Sequence, residues 1–284
     1  MASDRDREMS VHAQIGAARS FLFVPASRAD RFEKAHASGS DVVVLDLEDA
    51  VSAGDKSTAL ASVVQWLEPG RRQSVSIVRI NAVNSRWHEN EIDSLRRFGV
   101  PLMVPKTDSP VMVEALHRRS GLPLVPLIET PAGVFRAESI AAAEGVVRVA
   151  LGHIDLAAAL RVDPDSRDAF LYTRSQLVLA SAGAGIAGPV DGVTTSLDDP
   201  ARLIDDVMHA QAMGLTGKLC IHPRQVDLVH DVLRPSEADI AWARRVAAAV
   251  DAGWVSEGGG AVAIDGEMVD PPVISRARTI LARL

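Results

Sequence analysis

The chain is organised around the stretch DVVVLDLEDAV, residues Asp41–Val51. Val42–Leu45 is a short apolar run rich in β-branched residues, which is typical of a parallel strand buried on both faces. The run ends at three acids, Asp46, Glu48 and Asp49. Carboxylates this close repel one another and lose hydration, so they require a cation, an arginine or backbone donors nearby. The alternative for these acids is a solvated loop that contains a helix N-cap.

The same pattern recurs along the chain, where short apolar runs alternate with helix-forming segments. The runs are Ser20–Val24, Val42–Leu45, Val75–Ile80, Leu102–Val104, Leu124–Ile128, Val147–Leu151, Ile186–Val190 and Lys218–Ile221. This alternation predicts a parallel sheet, and eight units predict closure into a (β/α)8 TIM barrel, an α/β fold. We assign residues 19–234 to the barrel and residues 1–18 to a flexible N-terminal tail.

Residues 235–284 follow the eighth strand and are predicted to form a C-terminal helix and hairpin extension. A helix is expected from Glu237, and AVAIDGEMVD predicts a β-hairpin that turns at Asp265-Gly266, before a final helix. A closed barrel does not need this extension, which is long enough to reach a neighbouring subunit. We therefore expect a homo-oligomer.

Composition excludes several classes of protein. The 284 residues are 47% hydrophobic, which allows a sizeable core, and the net charge of −7 argues against nucleic-acid or anionic-membrane partners. Cys220 is the only cysteine, so no internal disulfide can form. Residues 1–18 contain no apolar signal core, and we expect a cytoplasmic protein with no membrane association.

Ionisable residues cluster where the predicted strands end, and chemistry in a barrel of this kind is carried at that face. After the acids that follow the second strand, the later exits carry Arg79, Lys106, Glu129, Asp155, Asp191 and His222. The strand starts carry mostly small or apolar residues. This asymmetry favours an enzyme over a purely structural barrel.

Glu129 and Asp155 follow adjacent strands, the fifth and the sixth. Two carboxylates at neighbouring barrel positions can share one divalent ion and leave positions open for water and substrate. With Asp46 and Glu48 close by in the ring, the pair favours Mg²⁺ or Mn²⁺ over zinc, for which no close set of His and Cys ligands is present. The alternative for Glu129 alone is a helix-capping acid.

Arg79 and Lys106 are the cations at these strand ends. A guanidinium that faces the barrel mouth would bind a carboxylate or enolate oxygen, and the alternative is a salt bridge to Glu48 or Asp49. Both roles are compatible, since those acids would orient the arginine. Lys106 is interpreted as a structural or phosphate-facing cation rather than a Schiff-base lysine, because the acidic ring favours metal chemistry.

Eight motifs occur in order between Arg19 and Ala277. They are RSFLFVPASRADRFEKA, VVVLDLEDAV, VRIN, PLMVPK, PLIETPAGV, LGHIDLAAAL, GKLCIHPRQV and GEMVDPPVISRA. In these motifs the chain resembles the citrate lyase β-subunit-like branch of the HpcH/HpaI aldolase family, which includes malyl-CoA and citramalyl-CoA lyases. The chain departs from the family at Ile154, where many members carry an acid, and at Ala159-Leu160-Arg161, where many carry Asp-Leu-Gly.

The resemblance implies a trimeric or hexameric barrel that depends on Mg²⁺, with Mn²⁺ as an alternative. It implies that Glu129 and Asp155 hold the metal and that Arg79 binds the reacting oxygen. It also implies that three acids orient Arg79 and metal-bound water; these are Asp46, Glu48 and Asp49.

Further roles follow from the same resemblance. Asp270 in the MVDPP segment would be the catalytic acid/base, delivered from the next subunit. Arg28, Arg31 and Lys34 match positions that face the coenzyme A phosphates, the alternative being a solvated helix face.

The expected reaction is cleavage or formation of a 3-hydroxyacyl thioester such as citryl-, malyl- or citramalyl-CoA. The products of cleavage are a 2-oxo acid and an acetyl thioester, carried on coenzyme A or on a carrier protein. Three alternatives remain: a thioesterase of the malyl-CoA type, a class II aldolase acting on a free hydroxy-oxo acid, and a non-catalytic ligand-binding barrel.

Overall fold

The computed structural model describes residues 4–68, 75–252, 262–264 and 267–282. The chain divides into two compact units, Met1–Leu233 and Arg234–Leu284. In the first unit, parallel strands β1 to β8 pair in sequence order, and β8 pairs with β1 to close a barrel. The predicted (β/α)8 fold is confirmed.

The strands are β1 (Ser20–Pro25), β2 (Val42–Asp46), β3 (Val75–Arg79), β4 (Leu102–Val104), β5 (Leu124–Ile128), β6 (Ala150–Leu151), β7 (Val190–Asp191) and β8 (Gly217–Cys220). The helices of this unit are α1 (Asp4–Ala17), α2 (Phe32–His36), α3 (Lys56–Leu67), α4 (His88–Leu95), α5 (Pro110–Ser120), α6 (Pro131–Phe135), α7 (Ala137–Ala141), α8 (His153–Leu160), α9 (Leu171–Gly183), α10 (Pro200–Ala212) and α11 (Arg224–Leu233).

Alternation along the strands builds two apolar layers. In β2, Val42 and Val44 belong to a cluster inside the barrel, whereas Val43 and Leu45 belong to the cluster between the barrel and its helices. Successive side chains of a strand point to opposite faces, so both faces of β2 are buried. This explains why the second strand is a continuous apolar run rather than an alternating one.

Strands β6 and β7 have only two residues each and are shorter than the sequence predicts. Before β7, Pro189 has no backbone N–H to donate. The carbonyl of Gly188 accepts hydrogen bonds from the Arg148 Nε (2.9 Å) and Thr216 Oγ1 (2.9 Å) instead. Side chains therefore take the place of the strand ladder at this point.

The flexible N-terminal tail predicted for residues 1–18 is wrong for residues 4–17, which form α1. Ile15 is fully buried in the cluster inside the barrel. The carbonyls of Ile15 and Ala18 accept hydrogen bonds from Arg148 Nη1 at 2.7 and 2.6 Å, and Arg148 is itself fully buried. A buried guanidinium requires acceptors, and the end of α1 supplies two of them.

The second unit contains α12 (Glu237–Asp251), β9 (Val262–Ile264), β10 (Glu267–Val269) and α13 (Pro271–Leu281). Strands β9 and β10 pair antiparallel, as the predicted hairpin requires, and its turn at Asp265-Gly266 lies outside the described residues. The buried core of this unit is Ala243, Val246, Val269, Ile274 and Ala277. In the described ranges of the chain, no helix is long and apolar enough to cross a membrane.

Candidate active site

Strand periodicity aims three of the predicted site residues into the mouth of the barrel. Asp46, Arg79 and Glu129 each follow, by two positions, a residue of the cluster inside the barrel; those residues are Val44, Ile77 and Leu127. Residues two apart lie on the same face of a strand. All three side chains therefore extend from the inner face at the carboxyl ends of their strands.

Arg79 is fixed by Asp46. The two residues are ladder partners of β2 and β3. Arg79 donates from Nε to Asp46 Oδ1 (2.7 Å) and from Nη2 to Oδ2 (2.6 Å), a two-bond fork that sets the plane of the guanidinium. Phe23 lies against that plane, with its ring centroid 4.8 Å from the guanidinium carbon. The remaining nitrogen, Nη1, is turned toward the other acids.

Glu48 and Asp49 form salt bridges with Arg79 Nη1. Arg79 Nη1 lies 3.2 Å from Glu48 Oε2 and 3.8 Å from Asp49 Oδ2, so the salt bridges predicted as an alternative are present. Burial alone would lower the pKa of Arg79, but the hydrogen bonds that it donates to Asp46 and the charges of the acids raise it above its usual range. Burial raises the pKa of Glu48, against the opposing charge of Arg79.

Glu129 is a buried acid, with 4% of its surface exposed. Its Oε1 accepts the backbone N–H of Lys106 at 2.7 Å. Burial raises the pKa of Glu129 to about 8, and the nearby charges of Glu48 and Asp155 act in the same direction. Gly152 leaves room for this carboxylate, because a Cβ at that position would lie 2.5 Å from Glu129 Oε2.

Asp155 lies in the first turn of α8, which begins directly after Gly152. Its side chain is 42% exposed, and Oδ2 lies 4.0 Å from Lys106 Nζ. The same ammonium bonds Glu48 Oε1 at 2.7 Å. Burial alone would lower the pKa of Lys106, but the bond and charge of Glu48 raise it. A Schiff-base lysine requires a lowered pKa, so the raised pKa of Lys106 and its bond to Glu48 disfavour that alternative.

The donor set fits a divalent cation. Among the described residues, no group of three or more His, Cys, Asp or Glu side chains is arranged as a metal site. Mg²⁺ does not need such a group, because it keeps several waters and binds through one or two carboxylates. Glu129 is held in burial beside other acids, and a cation bound there would favour its ionised form.

A group of buried polar residues lies behind Glu48, and sequence reasoning missed two of its members, Lys56 and Glu91. Lys56 Nζ donates to the carbonyls of Leu47 (2.7 Å) and Glu48 (2.7 Å) and to Asn81 Oδ1 (2.8 Å). Glu91 in turn accepts the backbone N–H of Asn81 at 2.8 Å. These bonds hold the main chain that carries Glu48.

A signal for this group is present in the sequence. Lys56, Leu60 and Val63 lie one turn apart along α3, and all three are buried. A lysine at a position of the apolar face must find acceptors inside the protein. The buried face of α3 therefore identifies Lys56 as a residue with internal partners.

Asp191, another strand-exit acid, does not join the mouth. It follows Val190 of the inner cluster by one position and so faces the layer between barrel and helices. Its carboxylate is bonded to Lys218 Nζ (2.8 Å) and Arg174 Nε (2.9 Å). Burial alone would raise the pKa of Asp191, but Lys218 and Arg174 lower it to about 2.

The remaining predicted residues lie elsewhere in the chain. Arg28, Arg31 and Lys34 are exposed around the start of α2, and Arg28 pairs with Asp30 at 2.8 Å. Asp270 belongs to the second unit, where its Oδ1 accepts the backbone N–H of Val273 at 3.1 Å and caps α13. Its observed contact is therefore a helix cap.

These features describe a closed α/β barrel whose mouth joins a fixed arginine to a set of buried and half-buried carboxylates. The sequence profile of the HpcH/HpaI aldolase/citrate lyase family matches residues 19–223. The chain belongs to this family, as its motifs predict. The family is of the lyase and aldolase type.

Individual relatives agree with the assignment. The citrate lyase subunit beta of Escherichia coli K12 is 35% identical over 282 residues, covering 93% of this chain and 92% of the relative. The (3S)-malyl-CoA thioesterase of Cereibacter sphaeroides is 32% identical over 272 residues, covering 93% and 94%. The crystal structure of CitE from Mycobacterium tuberculosis, in complex with magnesium, acetoacetate and coenzyme A, is 34% identical with a TM-score of 0.79, covering 94% of this chain and 98% of that one.

Proposed function

We propose that this protein is a Mg²⁺-dependent carbon–carbon lyase that cleaves a 3-hydroxyacyl thioester into a 2-oxo acid and an acetyl thioester. The observation that carries the proposal is the mouth of the barrel, where Arg79 is locked by Asp46 beside Glu129, Asp155 and Glu48. The similarity to a citrate lyase subunit and to a protein crystallised with magnesium and coenzyme A supports it.

Glu129 and Asp155 would hold the ion. When bound, it would supply Lewis-acid polarisation of the carbonyl of the 2-oxo acid fragment. Arg79 would hold the thioester oxygen through Nη1, since its other two nitrogens are bonded to Asp46. A fixed cation at this point stabilises the negative charge that develops on the enolate as the carbon–carbon bond breaks. Glu48 and Asp49 keep Nη1 oriented between turnovers.

As the carbon–carbon bond breaks, the 3-hydroxyl group would lose its proton to a carboxylate of the mouth such as Glu48, and Asp270 would supply a proton to the α-carbon of the acetyl thioester, as the family motif implies for Asp270. The proposal places Asp270 at the mouth of a neighbouring subunit in a homo-oligomer, because it lies beyond the barrel in the second unit. Mixing inactive Asp270→Asn subunits with inactive Glu129→Ala subunits should then restore part of the activity. If the mixed oligomers stay inactive although subunit exchange is shown, Asp270 does not act in a neighbouring site.

Arg28, Arg31 and Lys34 would face the coenzyme A phosphates. Arg31 and Lys34 lie close enough to His222 that their positive charges lower its pKa, after the effects of burial and of Arg224. These groups form a basic surface at the ends of β1 and β8, which suits an anionic carrier group.

The test is incubation with a panel of hydroxyacyl-CoA thioesters and Mg²⁺, with products identified by mass. A 2-oxo acid and acetyl-CoA are expected, and Arg79→Lys should reduce turnover on the order of a hundredfold or more through loss of the two-bond fork. Arg97→Lys, at a surface pair with Glu68, serves as the matched control. Absence of turnover with every thioester, although Mg²⁺ binds, would favour the alternative of a non-catalytic ligand-binding barrel.

A thioesterase is the second candidate, and the 32% identity to a malyl-CoA thioesterase favours it. The same experiment separates the two, because a thioesterase releases a free hydroxy acid and coenzyme A with the carbon skeleton intact. Cleavage of a free hydroxy-oxo acid without coenzyme A, at a rate equal to that of the thioesters, would instead identify a class II aldolase.

A further inference from the structure

Lys106 has an unusual backbone conformation at the mouth of the barrel. Its φ is +51°, in the left-handed region that residues other than glycine rarely adopt. Such a conformation is unfavourable for a residue with a side chain and persists only where the surroundings impose it. Here it directs the backbone N–H of Lys106 to Glu129 Oε1 at 2.7 Å. The strained residue thus lies directly against one of the two proposed metal ligands.

The side chain of Lys106 reaches the other acids of the mouth. Its Nζ lies 2.7 Å from Glu48 Oε1, 3.9 Å from Asp49 Oδ1 and 4.0 Å from Asp155 Oδ2. One residue therefore contacts Glu129 through its backbone and approaches Asp155 through its charge. The side chain is 44% exposed, so a rotation can move the ammonium into solvent.

We propose that the Lys106 ammonium is a stand-in cation, which neutralises the acids at the mouth in the metal-free enzyme and is displaced into solvent when the divalent ion binds. This inference rests on the metal site of the proposed function. An ammonium 4 Å from a carboxylate of that site repels a divalent ion bound by the same carboxylate, because like charges at such distances cost free energy even near a surface. The backbone bond to Glu129 does not depend on the side chain and stays in place throughout.

The stand-in cation has a purpose in the metal-free state. Glu48, Asp49 and Asp155 lie within 4.0 Å of Lys106 Nζ, and Arg79, whose other nitrogens bind Asp46, faces Glu48 and Asp49 through Nη1. A mobile ammonium reduces their repulsion without closing the site. The consequence is a lower affinity for Mg²⁺ than the carboxylates alone would have.

The first test is calorimetric titration with Mg²⁺ alone. Lys106→Met keeps the stem of the side chain and the backbone strain but removes the charge, so it should bind Mg²⁺ about tenfold more tightly than the wild type. Lys106→Arg keeps the charge and should bind like the wild type. Arg97→Met removes one positive charge at the surface pair with Glu68 and is the matched control for net charge.

The second test uses the wild-type protein and does not depend on the folding of a variant. The chain has four lysines, of which Lys56 and Lys218 are buried and Lys34 is exposed. An amine-modifying reagent, read out by mass spectrometry, should label Lys106 faster after Mg²⁺ is added, relative to Lys34 in the same sample. Buried Lys56 and Lys218 should stay poorly labelled in both states and so report that the fold is intact.

The outcomes separate this inference from the proposed function. If the wild type binds Mg²⁺ but Lys106→Met binds it equally or more weakly, and Lys106 labelling does not change, the stand-in role is wrong while the metal site stands. If neither the wild type nor Lys106→Met binds Mg²⁺, the metal site itself is wrong, and the stand-in role is wrong with it.

Discussion

The mouth of the barrel and the layer between β7, β8 and α9 both bury an acid at the end of a strand, but their charges are balanced differently. In the layer, Asp191 has two cations within 2.9 Å, and its pKa is lowered to about 2. In the mouth, Glu129 has a backbone N–H and other acids around it, and its pKa is raised to about 8.

The two acids have nearly the same burial, with 1% and 4% of their surface exposed. Burial therefore cannot explain the opposite pKa shifts. The difference comes from the neighbours: a carboxylate compensated by cations is stable as an ion, whereas one surrounded by acids retains its proton or takes a cation from solution. The compensated acid supports the structure, and the uncompensated one is suited to binding. Charge removal, titration and packing at these two acids each test this difference.

The largest effect is expected from removing the charge of each acid in turn. Asp191→Asn leaves Lys218 and Arg174 buried without a counter-charge, and it should lower the free energy of unfolding by about 3–5 kcal/mol. Glu129→Gln keeps the shape and the bond from Lys106 and cannot ionise in the unfolded chain, so without divalent ions at pH 7 it should raise the free energy of unfolding by about 1 kcal/mol. Urea denaturation in the presence of EDTA measures both, and equal losses would contradict the comparison.

The second effect is a pH dependence of opposite sign in the two regions. In the metal-free protein, folded Glu129 keeps a proton that the unfolded chain releases, so stability should fall as the pH rises from 4.5 to about 8. Arg79 and Lys106 can shift toward the ionised carboxylate, so we expect a fall of roughly 2 kcal/mol. Asp191 has a lowered pKa, and its contribution is present above pH 4 and is lost only toward pH 2.

The pH dependence is checked by urea midpoints between pH 5 and 8.5 in EDTA. The difference between wild type and Glu129→Gln isolates the contribution of Glu129. Saturating Mg²⁺ should abolish the decline, because the ion replaces the proton. A wild-type curve parallel to that of Glu129→Gln would show that Glu129 is already compensated.

The smallest effect is expected at Gly152. The Cβ of Gly152→Ala would lie 2.5 Å from Glu129 Oε2 and 2.6 Å from Glu129 Cβ, so the whole side chain must move, and Mg²⁺ affinity should fall about tenfold with a loss of stability of about 1 kcal/mol. Gly183→Ala, near the end of α9, places its Cβ in open space and is the matched control. Titration calorimetry compares the two, and equal affinities would show that the position of Glu129 is not limiting for the ion.

Much of the barrel could be predicted from local sequence. The bounds of β4 and β5 agree with their apolar runs, and β2 ends one residue beyond its run, at Asp46. Strands buried on both faces are continuous apolar segments, and that signal does not depend on distant residues. The helix α1 was not predictable in this way, because its stabilising contacts come from Arg148, more than a hundred residues away.

The residues of the mouth were also visible in the sequence, because carboxyl ends of parallel strands meet at one face of a barrel. Asp46, Arg79 and Glu129 each lie two positions after an inward-facing residue, so they lie on the inner faces of their strands. This two-residue spacing can be read without a structure. The same spacing separates Asp191 from them, since Asp191 lies one position, not two, after the inward-facing Val190. The fold, the family motifs and the list of candidate acids could therefore be predicted without a structure.

The pairing of each acid with its cation depends on the folded barrel. Asp191 meets Lys218 and Arg174 from two other elements, and Glu129 meets the backbone of Lys106, whose left-handed conformation no local pattern predicts. The charge state of a buried carboxylate depends on its neighbours within a few ångströms. Those neighbours are distant in the chain, and they become adjacent only when the barrel closes.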